Sequence, residues 1–313
     1  VSTDPSAAAD VYMFASDQLG VLMDAKAIGQ LGTDAEKQVK EQNGDLEVNS
    51  VTGTDGKLYG VPYTDNTWFM YYNKSKITED EAKDFDTILS KAKVAFSLQN
   101  SWYINGFYDG LSLFGEKGND ADAGMVFPKD GADITSYLVD VVANPNFSND
   151  DGASGLAAIK DGSADVLFSG TWSAKDVKEA LGDNYAATSL PTFTVNGQKK
   201  QMKSFAATKA AAYNPNAKNP KAAAQFAAYL GSTEAQKLHY EMRAIPPTDK
   251  SLSDLTTDDI AAKAQADTMA NTALLQSGLS GMNDWWTPAE TFGKALVNKE
   301  ITKDNAAAKY QDW

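Results

Sequence analysis

Short apolar runs alternate with amphipathic stretches along almost the whole chain, and that alternation predicts an α/β protein. The run "DVYMFA" (10–15) turns polar at Ser16 and Asp17, the pattern of a strand buried on both faces of a parallel sheet. "WFMYYNK" (68–74) and "AFSLQ" (95–99) predict further strands, as does "ADVLFSG" (164–170). In "VTGTDGKLYGVPYT" the Asp55-Gly56 pair sits between β-prone arms and predicts a hairpin turn. "TEDEAKDFDTILSKAKV" places Ala82, Phe85, Ile88, Leu89 and Ala92 at helical intervals and opens on Thr78 and Glu81, a capping-box spacing.

The second half carries an extended segment, "NYAATSLPTFTVNGQKKQMKSFAATKAAAYN" (184–214), with an Asn196-Gly197 turn, read as a crossing between two bodies. Helices follow. "NPKAAAQFAAYLG" has Pro220 in its first turn and Gly231 as its stop, and "STEAQKLHYEM" comes next. Thr257 is the expected cap of "TTDDIAAKAQADTMANTALLQ", with Asp258 and Asp259 in the first turn. A late helix starts at Trp285 and Trp286, with Pro288 expected in its first turn. No repeat of fixed period is present in the sequence.

Composition narrows the chemistry. With 313 residues the chain is long enough for two domains, and 42% apolar against 22% charged residues fits a globular protein. A net charge of −14 without a basic stripe argues against nucleic acid and anionic membranes as partners. There is no cysteine and a single histidine, His239 in a helical context, so thiol catalysis, disulfides and Cys/His zinc sites are excluded. No metal or cofactor is expected. Phosphate-binding glycine motifs are absent from the sequence. "SNDDGASG" (148–155) lacks calcium-loop spacing and reads as a turn before a helix. No stretch approaches the roughly 18 apolar residues of a membrane span. The sequence opens almost directly on its first strand, so an export signal or lipid-attached N-terminus is expected to have been removed or to lie outside it.

Aromatic residues gather where strands end. Phe14 precedes Asp17 and Gln18; Asp65 and Asn66 precede Trp68; Asn100, Trp102 and Tyr103 follow "AFSLQ"; Trp172 follows "VLFSG". Strand carboxyl ends are where open α/β sheets bind ligands. An indole face beside amides and carboxylates suits a sugar: the ring stacks on the pyranose C–H face and the polar groups bond its hydroxyls.

Five stretches, "YGVPYTDNTWFMYYNKS", "GSADVLFSGTWSAKDV", "LPTFTVNGQKKQMKSF", "AIPPT" and "WWTPAETFGKAL", resemble the extracellular sugar-binding proteins of ABC importers. The chain is most similar to the maltose/maltodextrin-binding branch found as Gram-positive lipoproteins, and the resemblance runs through the whole chain in order. It implies a two-lobe periplasmic-binding-protein-like fold, with lobes of 1–64 with 207–258 and 65–206 with 259–313. The cleft between them would hold a maltooligosaccharide. Phe14, Asp17 and Gln18 would come from the first lobe and Asn66 from the hinge. Asn100, Trp102, Tyr103, Trp172, Trp285 and Trp286 would come from the second, with Trp102, Trp172 and Trp286 as the stacking platform and Trp285 covering another part of the cleft. The resemblance further implies a monomeric, non-enzymatic protein outside the cell, delivering sugar to membrane permease subunits. Relatives carry a strand-helix-strand unit ahead of "DVYMFA" that this sequence does not show, so an incomplete first lobe is expected. Gln18, Asn66, Asn100 and Ala289 replace groups often charged in relatives, which implies altered sugar selection. The alternatives are a β-linked or galactose-containing oligosaccharide, a glycoside hydrolase built on two carboxylates, and a surface protein without a ligand.

Overall fold

The computed structural model describes residues 1–115 and 118–313. Two sheets dominate. In the first, the ten-residue strand Ser204–Tyr213 runs antiparallel between Val11–Ala15 and Val61–Asn66, and Ala273–Leu275 pairs in parallel with its beginning. The second has five strands in the order Phe147–Asn149, Val94–Phe96, Val166–Ser169, Phe69–Asn73, Tyr185–Thr188. Its first three strands are parallel, and Phe69–Asn73 is antiparallel to both neighbours. Mixed α/β architecture in two lobes is thus the observed fold.

Strand Ser204–Tyr213 explains how the first sheet is covered on both faces. It is rich in alanine, and Ala206, Ala207, Ala210, Ala211 and Ala212 are all buried. Small side chains let a helix approach closely. Helix Pro220–Leu230 does so through Ala223 and Ala227; Pro220 opens it and Gly231 ends it as the sequence predicts, and the Asn219 side chain caps it. On the other side, Leu19, Leu22, Ile28, Leu31 and Val39 pack with Ala210 and Ala212 into one apolar cluster. The second lobe is built around aromatic rings instead. Trp68 stacks on Tyr103 at 5.0 Å and meets Phe96 and Phe168 edge-on. Each such fully buried aromatic or aliphatic side chain contributes about 1.5–3 kcal/mol by leaving water.

The chain passes from one sheet to the other between Asn66 and Phe69, and the crossing is stapled. The Thr67 hydroxyl donates to the carbonyl of Phe205 at 2.7 Å and lies 2.6 Å from the Ser204 hydroxyl on the returning strand. The extended crossing segment forms as expected, including the turn at Asn196 and Gly197, where both residues have positive φ between the strands Thr192–Val195 and Gln198–Gln201.

Several local expectations are corrected. Strand Val11–Ala15 is antiparallel, and Met13 is exposed, because it pairs only with the central strand of its sheet. The Thr78–Glu81 capping box forms reciprocally but closes a single 3₁₀ turn; the helix proper, Phe85–Lys91, is capped by Asp84. Asp259, not Thr257, caps helix Ile260–Asn271, its carboxylate accepting from the amides of Ala261 and Ala262. Helix Asn283–Val297 starts before the tryptophans, so Pro288 lies inside it.

Candidate functional site

A cavity of about 390 Å³ lies between the lobes, lined by Asp17, Gln18, Asn66, Trp102, Gln276 and Trp286. A second space of about 350 Å³ shares Gln276 with it and lies between Met23 and Gly53 on one side and Leu279 and Ser280 on the other. Asp17 and Gln18 stand in the 3₁₀ turn that follows Val11–Ala15, and Asn66 ends the strand on the opposite flank of Ser204–Tyr213. Both edges of the central strand therefore deliver polar groups to one opening.

The opposing wall is the loop after Val94–Phe96, and its backbone is pinned from below. The buried Trp68 donates its indole N–H to the carbonyl of Trp102 at 2.9 Å. The buried Trp285 donates to the carbonyl of Ser101 at 2.9 Å. Asn100 closes the turn by accepting from the Trp102 amide at 2.8 Å. The Trp102 ring is oriented by its own indole N–H, which donates to Gln276 Oε1 at 2.9 Å. Beside it stands Trp172, 50% exposed, with ring centroids 5.9 Å apart at 37°. Trp172 lies directly over Gly170, where a Cβ would come within 2.1 Å of the ring.

Protonation is shifted in the opening at Asp17 and beside it at Lys209. Burial raises the Asp17 carboxyl above the usual range, against a hydrogen bond from Gln18 at 2.7 Å that lowers it. Burial lowers Lys209, whose ammonium lies 5.7 Å from the centre of the Trp172 ring.

The structure thus brings Asp17, Gln18, Asn66, Trp102 and Trp286 together, with Trp172 adjoining Trp102. Four other expected site residues are placed elsewhere. Trp285 is buried against Phe127, Phe205 and Trp313, because it continues the apolar stripe of Ala289, Phe292 and Leu296. Trp286 sits about 100° away around the same helix, half-buried, edge-on to Phe205 at 6.0 Å. Phe14 belongs to the core of the first lobe, under Gly60. Tyr103 is committed to its stack on Trp68. Asn100 is exposed and borders a separate polar hollow with Asp150, Asp151, Glu290 and Lys294. Conversely, Gln276, which lines the cavity, and Lys209, which lies beside Trp172, were not singled out. A lone lysine inside the apolar run "FAATKAAAY" was the available signal for the second.

Two lobes joined by crossing strands, with a polar and aromatic cleft between them, define the class of two-lobe solute-binding proteins. The chain belongs to the bacterial extracellular solute-binding protein family, whose model matches residues 1–271. It is similar to a structure solved with acarbose, at TM-score 0.95 and 44% identity over 100% of this chain and 84% of that one. It is 28% identical over 292 residues to the maltooligosaccharide ABC transporter solute-binding lipoprotein of Streptococcus pneumoniae, covering 84% of this chain and 67% of that protein. The galactooligosaccharide-binding protein of Bacillus subtilis is 27% identical over 335 residues, 96% of this chain and 76% of that one. Among the described residues no helix is long and apolar enough to cross a membrane.

Proposed function

We propose that this protein captures maltodextrin-type α-glucan oligosaccharides outside the cell and passes them to the permease subunits of an ABC importer. The observation that carries this reading is the cavity that Trp102 and Trp286 line together with Asp17, Gln18 and Asn66, with Trp172 beside Trp102. Indole faces take the C–H faces of glucose units, and the carboxylate and amides take the hydroxyls in fixed directions. The lobes are 1–64 with 207–258 and 65–206 with 259–313, and they close on the bound sugar as a monomer. No chemical step is assigned to the cleft: Asp17 is its lone carboxylate among the residues lining the first cavity, whereas glycoside hydrolysis uses a pair. The relative that carries the maltooligosaccharide name and the relative solved with acarbose support this substrate class, and the lipoprotein relative supports attachment at the cell surface.

Calorimetric titration with maltotriose and maltopentaose, followed in parallel by tryptophan fluorescence, tests the reading. Saturable binding with no sugar product after prolonged incubation is expected. Heat and fluorescence that do not respond to either sugar would defeat it. The galactooligosaccharide-binding relative, matched over nearly the whole chain, makes galactose-containing oligosaccharides the second ligand set to titrate.

A further inference from the structure

Lys209 stands on the central strand of the first sheet, paired with Ala15 on one side and Thr64 on the other. Its two flanking strands lead directly to Asp17–Gln18 and to Asn66. Residues two apart on a strand share a face, so Lys209, Thr64, Ala207 and Asn66 point to the same side, and Lys209 and Asn66 are diagonal neighbours. The side chain leaves the first lobe and sets its ammonium over the ring of Trp172, which belongs to the second. Among the described residues no carboxylate lies within 4.0 Å of it, although eleven other lysines are in ion pairs. Among the described residues this partly exposed ammonium makes no ion pair, and its three donors have the Trp172 ring face and solvent beside them. Sugar hydroxyl oxygens in the cleft would supply acceptors.

We propose that Lys209 is a ligand-contacting, specificity-determining residue, whose ammonium leaves the face of Trp172 when sugar enters and donates charge-assisted hydrogen bonds to its hydroxyl oxygens. This rests on the sugar-binding reading above. Two opposing effects decide the sign. Displacement gives up a cation–π contact of a partly exposed pair, and in return the ammonium gains hydrogen bonds to acceptors in a cleft that sheds water. Charged hydrogen bonds are the stronger of the two, so Lys209 favours the loaded state. Its position also frees the aromatic face at the moment a pyranose needs it.

The experiment compares wild type with Lys209→Met, which keeps the length of the side chain and removes the charge, by calorimetry with maltotriose and by thermal melting. Affinity is expected to fall about tenfold or more, with a melting midpoint equal to or above that of wild type, because an unpaired, half-buried charge has been removed. Lys209→Gln, polar and uncharged, is expected to weaken binding in the same direction. A methionine variant that folds and binds as tightly as wild type, or more tightly, overturns the assignment and leaves the sugar-binding reading standing. Wild type that binds no maltodextrin takes both down.

Discussion

The indole N–H of Trp102 and the side-chain oxygen of Gln276 are 2.9 Å apart, and this bond ties the aromatic wall of the cleft to the residue that follows strand Ala273–Leu275. Gln276 is itself fixed, its backbone amide donating to the carbonyl of Ala206 on the crossing strand at 2.9 Å. Changing Gln276 to Leu preserves the bulk and removes the acceptor. A hydrogen bond of this kind has a net worth of about 0.5–1.5 kcal/mol. Maltotriose affinity should therefore weaken by roughly two- to tenfold as the ring loses its preferred orientation. Unchanged affinity in a folded variant would show that packing alone orients Trp102.

Trp285 and Trp286 separate stability from binding at adjacent positions. Trp285 is buried and its N–H holds the Ser101 carbonyl, so Trp285→Ala both opens a cavity and orphans an acceptor. A stability loss of about 3–5 kcal/mol is expected in denaturant unfolding. Trp286→Ala removes a half-buried ring that lines the cleft. It should lower affinity with a far smaller change in stability. Equal destabilisation by both changes would be the failing result.

Gly170 provides a test that leaves the tryptophans in place. Its φ of −104° is accessible to any residue, so a methyl group there is opposed by space alone. The obstacle is the outer edge of the Trp172 ring, which can swing away. Gly170→Ala should melt within a few degrees of wild type yet bind maltodextrin measurably more weakly. Retention of full affinity would remove Trp172 from the stacking wall.

Much of this was legible in the chain because local signals and the tertiary fold agree. The Asn196-Gly197 turn, Pro220 in a first turn and the Gly231 stop all sit where backbone preferences put them. The two lobes and the gathering of Asp17, Gln18, Asn66, Trp102 and Trp286 were likewise foreseen from strand ends and resemblance. Orientation around an element was where the reading failed. Trp285 lies in register with Ala289, Phe292 and Leu296, a stripe visible in the sequence, but the misplaced helix start hid it. Phe14 and Tyr103 differ from Trp102 only in which side of a short loop or strand faces the core, and that is fixed by partners distant in sequence. Gln276 acquires its role entirely from a contact with a residue far away along the chain.

Asp65 predicts how stability depends on pH. It lies on strand Val61–Asn66 directly opposite Thr208, and among the described residues its Oδ1 and the Thr208 hydroxyl are both buried without a hydrogen-bond partner. Burial first, and the neighbouring Glu47 carboxylate second, push its carboxyl well above the usual range. The unfolded chain releases this proton near pH 3.9, whereas the folded protein keeps it to higher pH. The folded state therefore binds more protons above that point, and its stability falls as pH rises toward the folded-state value. Asp65→Asn carries no charge to bury, so its stability gain over wild type should be small near pH 4 and should grow through pH 8. Thermal melting of both proteins across that range is the measurement. A difference that stays constant with pH, or shrinks as pH rises, would mean that Asp65 is ionised in the folded protein throughout.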